Sequence, residues 1–151
     1  MKLRHLSRLQ YNHYYDYNNY NCYMNKRILI IEDDQFLREF YQELLEGEGY
    51  LVDCSVDGET ALKELRENEY NLALLDIMLP KKDGLQLLRE LKIAPGKAAG
   101  LTIVVLTNLG QDAIIKQAFA LGAAGYLIKS ALSPDQVLTE IKSYLQKTSN
   151  G

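Results

Sequence analysis

Short apolar runs alternate with amphipathic segments along the chain from Lys26 onward. Five of these runs are rich in Ile, Leu and Val and predict strands: RILII, YLVDCSV, YNLALLDIM, LTIVVLT and GYLIK. Each run is followed by a segment that predicts a helix: QFLREFYQELLEGEG, GETALKELREN, LQLLRELK, DAIIKQAFALGA and SPDQVLTEIKSYLQK. The spacing of four between Phe36, Phe40 and Leu44 supports a helix in the first of these segments.

The order of these elements predicts the fold. Strands that alternate with helices form a parallel sheet with helices on both faces. The strands are continuous apolar runs without polar alternation, which is typical of a sheet buried on both sides. We therefore expect an α/β protein with a flavodoxin-like, doubly wound (βα)5 fold and a five-stranded parallel sheet in the order 2-1-3-4-5. Ser133 and Pro134 predict the start of the last helix, as N-cap and first helical residue.

Polar residues stand where the predicted strands end. Glu32 and Asp33 end the first strand, and Asp76 ends the third. Thr107 and Lys129 end the fourth and fifth strands. Ligands of such sheets bind at the carboxyl ends of the strands, and the first and third strands are neighbours in the expected order. Their carboxylates should repel by roughly 1 to 4 kcal/mol per pair, which a hard cation such as Mg²⁺ would relieve.

The acidic run also has a plain structural interpretation. Glu32, Asp33 and Asp34 precede a helix, and negative charge is favourable at a helix N-terminus. We expect Asp34 to be such a capping residue, whereas the joint placement of the other strand-end residues favours a metal site for Glu32 and Asp33.

The strand-end residues suit phosphoryl transfer better than hydrolysis. Both histidines, His5 and His13, lie far upstream of the first strand, and no strand ends in cysteine. A carboxylate can accept a phosphoryl group, which makes Asp76 the candidate acceptor. Mg²⁺ and Lys129 would stabilise negative charge on the phosphoryl oxygens, and Thr107 could donate a hydrogen bond to one of them.

Four motifs in this order resemble a known family. ILIIEDD, LALLDIMLPKKDG, IVVLT and GYLIK resemble the receiver domain of two-component response regulators, over about residues 26 to 147. The resemblance implies that Asp76 is the phosphoacceptor and that Mg²⁺ is the metal. It further implies that Asp33 binds Mg²⁺ directly, that Glu32 acts partly through water, and that the backbone carbonyl of Met78 is a third protein ligand.

The resemblance also assigns residues around the acceptor. Thr107 and Lys129 correspond to the family's phosphate-contacting hydroxyl and lysine, and Tyr126 to its aromatic switch residue. Met78 and Leu109 occupy positions that influence the attack of water on the acyl phosphate. Both are apolar, so we expect slow self-dephosphorylation. We do not expect an enzyme, beyond self-catalysed phosphoryl acceptance and this slow loss.

The resemblance implies partners as well. A sensor histidine kinase or a histidine phosphotransfer protein would supply the phosphoryl group in a cytoplasmic phosphorelay. A downstream protein would bind the face made by the fourth helix, the fifth strand and the fifth helix. The net charge is −3 and no basic stripe is present, so we expect no direct contact with nucleic acid. No apolar run approaches the ~20 residues that span a bilayer, so we expect no membrane insertion.

Three other functions compete with a phosphorylated switch. A receiver-like adaptor that binds its partner constitutively is motivated by Ser130, which stands where the family usually has proline, and by Asn108, where a small residue is common. A hydrolase of the haloacid dehalogenase type would need a second aspartate where Met78 stands. A flavin-binding flavodoxin is disfavoured because the acidic loop after the first strand would repel a phosphate.

Composition divides the chain into three parts. Residues 1–25 form a Tyr/Asn-rich segment that we expect to be a disordered tail, 26–147 the receiver domain, and 148–151 a C-terminal tail. Met24 could be the natural start of translation. We expect a stand-alone receiver, with an N-terminal fragment of a larger response regulator with an output domain as the alternative. Cys22 and Cys54 have no metal-binding spacing and are expected to be free thiols in a reducing cytoplasm.

Overall fold

The structure is a computed structural model that describes residues 25–108 and 111–149. In these ranges five strands alternate with five helices, as the sequence predicts. The strands are β1 (Arg27–Ile31), β2 (Leu51–Ser55), β3 (Leu72–Asp76), β4 (Thr102–Thr107) and β5 (Gly125–Ile128). The helices are α1 (Gln35–Gly47), α2 (Gly58–Glu67), α3 (Gly84–Ile93), α4 (Asp112–Ala120) and α5 (Pro134–Ser149), and a short 3-10 helix, Gly96–Ala98, precedes β4.

The sheet order is confirmed as β2-β1-β3-β4-β5, with every pairing parallel. Ile31 at the end of β1 is paired with Leu75, and Asp76 at the end of β3 with Leu106. The carboxyl ends of β1, β3 and β4 therefore lie side by side. The strand order reverses between β1 and β3, and such a reversal leaves a crevice in which ligands bind.

The core consists of two apolar clusters, one on each face of the sheet. Every residue of β3 is buried, as is most of β1 and β4. The two outer strands differ from the prediction of a sheet buried on both sides, since Leu51 of β2 is 53% exposed and Tyr126 of β5 is 42% exposed. An outer strand has a neighbouring strand on one edge only, so the helices cover it incompletely.

The helix predicted from the spacing of four is confirmed as α1, but that row of residues is not the one buried most deeply. Phe36 and Phe40 are 84% and 39% exposed and Leu44 is partly buried, whereas Tyr41 and Leu45 are buried in the core cluster that includes residues of β1. The helix carries two apolar rows one position apart, and both have helical spacing. Spacing alone cannot choose between them, whereas the direction in which the helix leaves the sheet does.

The predicted helix starts are confirmed by hydrogen bonds. Asp34 is the N-cap of α1, and its Oδ1 accepts a hydrogen bond from the Leu37 N–H at 2.9 Å. Ser133 and Gln136 exchange side-chain to backbone hydrogen bonds at the start of α5. The far end of α5 extends to Ser149, beyond the predicted helix end at 147.

Some sequence predictions fall outside the described residues. These include residues 1–24 of the predicted N-terminal tail, with Cys22, and also Leu109. Cys54 is described, exposed and not in a disulfide. Within the described ranges, no helix has the length and apolar composition that crossing a bilayer requires.

Gly58 allows the start of α2 to pack against the segment that follows β3. A Cβ built on Gly58 would lie 1.9 Å from the carbonyl oxygen of Lys82. Helix propensity favours alanine over glycine by about 1 kcal/mol, but this clash should dominate. We expect Gly58→Ala to lower the free energy of unfolding by about 1 to 3 kcal/mol in urea denaturation.

Gly47 provides the matched control for this substitution. It is also helical, but no atom lies within 4 Å of the position that a Cβ would take there. Gly47→Ala should therefore be neutral or slightly stabilising. Equal effects of the two substitutions would show that the close approach to Lys82 does not limit residue 58.

Candidate functional site

Three carboxylates converge at the carboxyl ends of β1 and β3. Glu32 and Asp76 are buried, with 0% and 3% exposure, whereas Asp33 is exposed. Each of the three can offer a carboxylate oxygen within 4.8 Å of the others. The structure therefore brings the predicted acidic residues together, with two carboxylates buried in the protein interior and the third facing solvent.

Lys129 is the cation that balances the buried pair. Its ammonium lies 2.8 Å from Glu32 Oε2 and 2.7 Å from Asp76 Oδ2. The side chain is only 12% exposed, so this contact is shielded from solvent. The backbone N–H of Lys129 donates to the Thr107 carbonyl at 2.9 Å, which fixes the end of β5 against the end of β4.

Burial and charge crowding shift the protonation of this group. Burial raises the pKa of Glu32 from 4.5 to about 7; the hydrogen bond from Lys129 opposes this rise, and the Asp76 charge adds to it. Burial opposes the charge on Lys129, but its hydrogen bonds to Asp76 and Glu32 outweigh that effect and raise its pKa. The site thus holds more negative charge than one ammonium compensates.

The donor set fits a hard divalent cation. Three carboxylates face one another, and one ammonium serves two of them. All the candidate ligand atoms are oxygens, and exposed Asp33 leaves one side open to water. Mg²⁺ prefers oxygen ligands and retains several waters, so the residues present suit it.

Ser130, in the place where the family usually has proline, does not misdirect the lysine. The described residues contain no cis peptide bond, so the Lys129–Ser130 peptide is trans. The Lys129 ammonium nevertheless reaches both buried carboxylates. The sequence departure that motivated a constitutive adaptor therefore leaves this contact intact.

The remaining predicted site residues take different positions. Thr107 is buried at the end of β4, close to the site. Met78 donates its backbone N–H to Asp76 Oδ1 at 3.0 Å, and its side chain is 62% exposed. Tyr126 points outward and packs edge to face with Phe119, with the ring centroids 6.3 Å apart. A metal-binding role of the Met78 carbonyl stays a prediction.

Two residues that the sequence analysis did not single out contact this site. Gln111 accepts a hydrogen bond from the Thr107 hydroxyl. Arg38 donates to the backbone carbonyls of Glu32 at 3.0 Å and Asp33 at 3.2 Å. Each acts through a side chain that folds back from near a helix start. The only sequence signal is a polar residue shortly after a strand end, four positions after β4 for Gln111 and seven after β1 for Arg38.

Arg38 should influence metal affinity by holding the acidic turn in place. Residues that orient metal ligands typically change affinity by about tenfold or more when removed. We expect Arg38→Met to weaken Mg²⁺ binding by about tenfold in isothermal titration calorimetry. Exposed Arg89 on α3 is the matched control, and Arg89→Met should bind Mg²⁺ as the wild type does. An unchanged Kd for Mg²⁺ in Arg38→Met would show that Arg38 does not support the metal site.

The comparisons with known proteins agree with one another. The family model "Response regulator receiver domain" matches residues 28–142. The transcriptional regulatory protein CrdR of Helicobacter pylori is 35% identical over 121 residues, which are 80% of this chain and 55% of that protein. The chemotaxis protein CheY of Halobacterium salinarum is 32% identical over 111 residues, 74% of this chain and 90% of that protein.

A solved structure of a receiver domain is also similar to this chain. The crystal structure of a CheY-like response regulator receiver domain protein from Methanospirillum hungatei has a TM-score of 0.74 and 29% identity, covering 83% of this chain and 97% of that one. The chain spans about half the length of the transcriptional regulators it matches, 55% of CrdR and 49% of ResD of Bacillus subtilis.

Proposed function

The chain belongs to the response regulator receiver domain family, and on that premise we propose that Asp76 accepts a phosphoryl group and that this changes which protein the domain binds. The observation that carries the proposal is the position of the Asp76 carboxylate. It lies at the end of β3, 2.7 Å from the Lys129 ammonium and beside Glu32 and Asp33. A buried nucleophile with a cation at its side suits phosphoryl acceptance.

The chemistry is a transfer from phosphohistidine to aspartate. An Asp76 carboxylate oxygen attacks phosphorus, the phosphorus–nitrogen bond breaks, and the donor imidazole keeps the electron pair and is then protonated. Lys129 and Thr107 donate hydrogen bonds to the phosphoryl oxygens, while the Met78 N–H holds Asp76 Oδ1 in place. Glu32, Asp33, Asp76 and the Met78 carbonyl would hold Mg²⁺, which supplies positive charge against those oxygens.

The acyl phosphate should be lost slowly. An attacking water needs a polar side chain to orient it, and Met78, largely exposed beside the acceptor, cannot do so. Leu109 is likewise apolar. We expect a lifetime well beyond seconds without a phosphatase, and the protein would act on no substrate other than its own aspartate. Decay within seconds would contradict this role for Met78 and Leu109.

The partners follow from the same proposal. A sensor histidine kinase or a histidine phosphotransfer protein in the cytoplasm would be the donor. The face formed by α4, β5 and α5 would bind the downstream protein. The half-exposed Phe119–Tyr126 pair lies on that face, and an inward turn of Tyr126 would change its shape and polarity.

Intact-mass spectrometry after incubation with acetyl phosphate and Mg²⁺ tests the proposal. We expect one adduct of about 80 Da in the wild type, none in Asp76→Ala, and none when EDTA is present. Since some receivers could require their own donor, a phosphohistidine-bearing phosphotransfer protein is tried in parallel. Folded wild-type protein that gains no adduct from either donor would overturn the proposal and favour the constitutive adaptor.

A further inference from the structure

Gln111 occupies the N-cap position of α4, but its side chain does not cap the helix. It turns back toward the end of β4 instead. There its Oε1 accepts hydrogen bonds from two groups, the Thr107 hydroxyl and the Asn108 backbone N–H, the latter at 3.0 Å. The Thr107 hydroxyl also lies 3.3 Å from the Asn108 carbonyl, a longer contact. Gln111 is thus the principal acceptor for the hydroxyl in this structure.

A threonine hydroxyl carries one proton and can donate one strong hydrogen bond at a time. In the proposed function that proton is needed by a phosphoryl oxygen. We propose that Gln111 is a positioning residue that restrains Thr107 in the unphosphorylated state, so that the Thr107–Gln111 hydrogen bond sets how readily the site takes and keeps a phosphoryl group. This inference rests on the proposed function.

The exchange of acceptors gives the site two states. A charged phosphoryl oxygen is a stronger acceptor than a neutral amide, so phosphorylation favours the state in which Thr107 has left Gln111. The Thr107 carbonyl remains bound to the Lys129 N–H, which limits the change to the side chain and the residues after it. The apparent affinity for a phosphoryl group equals the intrinsic affinity multiplied by the fraction of molecules in which the hydroxyl is free to donate.

The same hydrogen bond connects the site to the proposed partner face. Gln111 directly precedes Asp112, the first residue of α4, and α4 is part of that face. When Thr107 and Asn108 leave Gln111, its side chain is free to cap α4 or to face solvent. The position of the first residues of α4 can therefore depend on whether the Thr107 hydroxyl donates to Gln111 or to a phosphoryl oxygen.

Beryllofluoride, which mimics a phosphoryl group on aspartate, serves as the probe in calorimetric titrations of the full chain with Mg²⁺ present. Gln111→Met keeps the length of the side chain and removes its acceptor. We expect it to bind beryllofluoride about three- to tenfold more tightly than the wild type, which corresponds to about 0.6 to 1.4 kcal/mol at 1.36 kcal/mol per factor of ten. Its affinity for Mg²⁺ alone should stay unchanged, because neither residue is a metal ligand.

A double-mutant cycle with Thr107→Ala identifies the mechanism. Without the hydroxyl there is nothing to restrain, so Gln111→Met should have no effect in the Thr107→Ala background. Thermal unfolding confirms that each variant is folded, and Gln111→Ala replaces Gln111→Met if the latter is not. Gln111 is only partly buried, so one of the two substitutions should be tolerated.

The outcomes separate the two proposals. Equal or weaker beryllofluoride binding by Gln111→Met, or an equal gain in the Thr107→Ala background, would overturn the role of Gln111 alone. Folded wild-type protein that does not bind beryllofluoride and gains no phosphate would overturn the proposed function and this inference with it.

Discussion

A Lys129→Met variant should lose about 3 kcal/mol of its free energy of unfolding at pH 8 in EDTA. With Mg²⁺ present, it should accept phosphate from acetyl phosphate at least about 100-fold more slowly than the wild type. The loss of stability follows from the burial of Glu32 and Asp76, which Lys129 compensates at 2.8 and 2.7 Å. Removal of one partner of a buried ion pair leaves uncompensated charge. The loss of rate follows because the same ammonium would stabilise the phosphoryl oxygens.

Lys142 offers a matched control for this experiment. Its ammonium lies 2.7 Å from Glu48 Oε2, a distance equal to that between Lys129 and Asp76, but both side chains are more than a third exposed. Exposed ion pairs contribute about 0 to 1 kcal/mol, so Lys142→Met should change urea denaturation little and phosphorylation not at all. Equal destabilisation by the two substitutions would show that the Lys129 contacts are no stronger than a surface pair.

In the metal-free protein, the free energy of unfolding should fall by about 2 to 3 kcal/mol as the pH rises from about 4.5 to about 7. The pKa of Glu32 is higher in the folded state than in the unfolded chain, so the folded state binds this proton more tightly. The resulting stabilisation is fully present below pH 4.5 and is lost as the pH approaches about 7. Above that pH, the contribution of Glu32 should be constant.

Urea denaturation in EDTA across this range, compared with Glu32→Gln, measures the effect. The substitution removes the titrating group while leaving Lys129 paired with Asp76, so the decline should be absent. Both histidines are present in the two proteins compared, so the difference between the curves does not include them. The lowered pKa of Asp57, caused mainly by the backbone N–H of Thr60, affects a more acidic range. A wild-type curve parallel to that of Glu32→Gln would show that Glu32 has an ordinary pKa.

Mg²⁺ should oppose this pH dependence. The cation competes with the proton for the same carboxylates, so saturating Mg²⁺ should stabilise the protein more at pH 8 than at pH 5. At high pH, Lys129→Met and Glu32→Gln should change the free energy of unfolding in opposite directions. Removal of Lys129 increases the repulsion between the buried carboxylates, whereas Glu32→Gln relieves it. A site built for function thus reduces the stability of the metal-free fold.

The element order and the strand-end chemistry could be predicted from the amino-acid sequence alone. Five apolar runs alternating with helical segments allow few arrangements, and parallel strands bring their carboxyl ends to one edge of the sheet. Glu32, Asp33, Asp76, Thr107 and Lys129 could therefore be grouped before any contact was seen. The cap at Asp34 was predictable for a similar reason, because it depends on a backbone N–H only three residues away.

Three features depend on tertiary packing: which apolar row of α1 faces the sheet, how far the outer strands are exposed, and which partners the polar side chains take. The two rows of α1 have the same spacing, so their phase depends on how the chain leaves β1. Lys129 contacts Asp76, a residue 53 positions away. Its simultaneous contact with Glu32 depends on the relative register in which β1, β3 and β5 end. Arg38 and Gln111 fold back onto backbone and hydroxyl groups, and periodicity carries no information about such contacts because it records spacing along the chain and not direction in space.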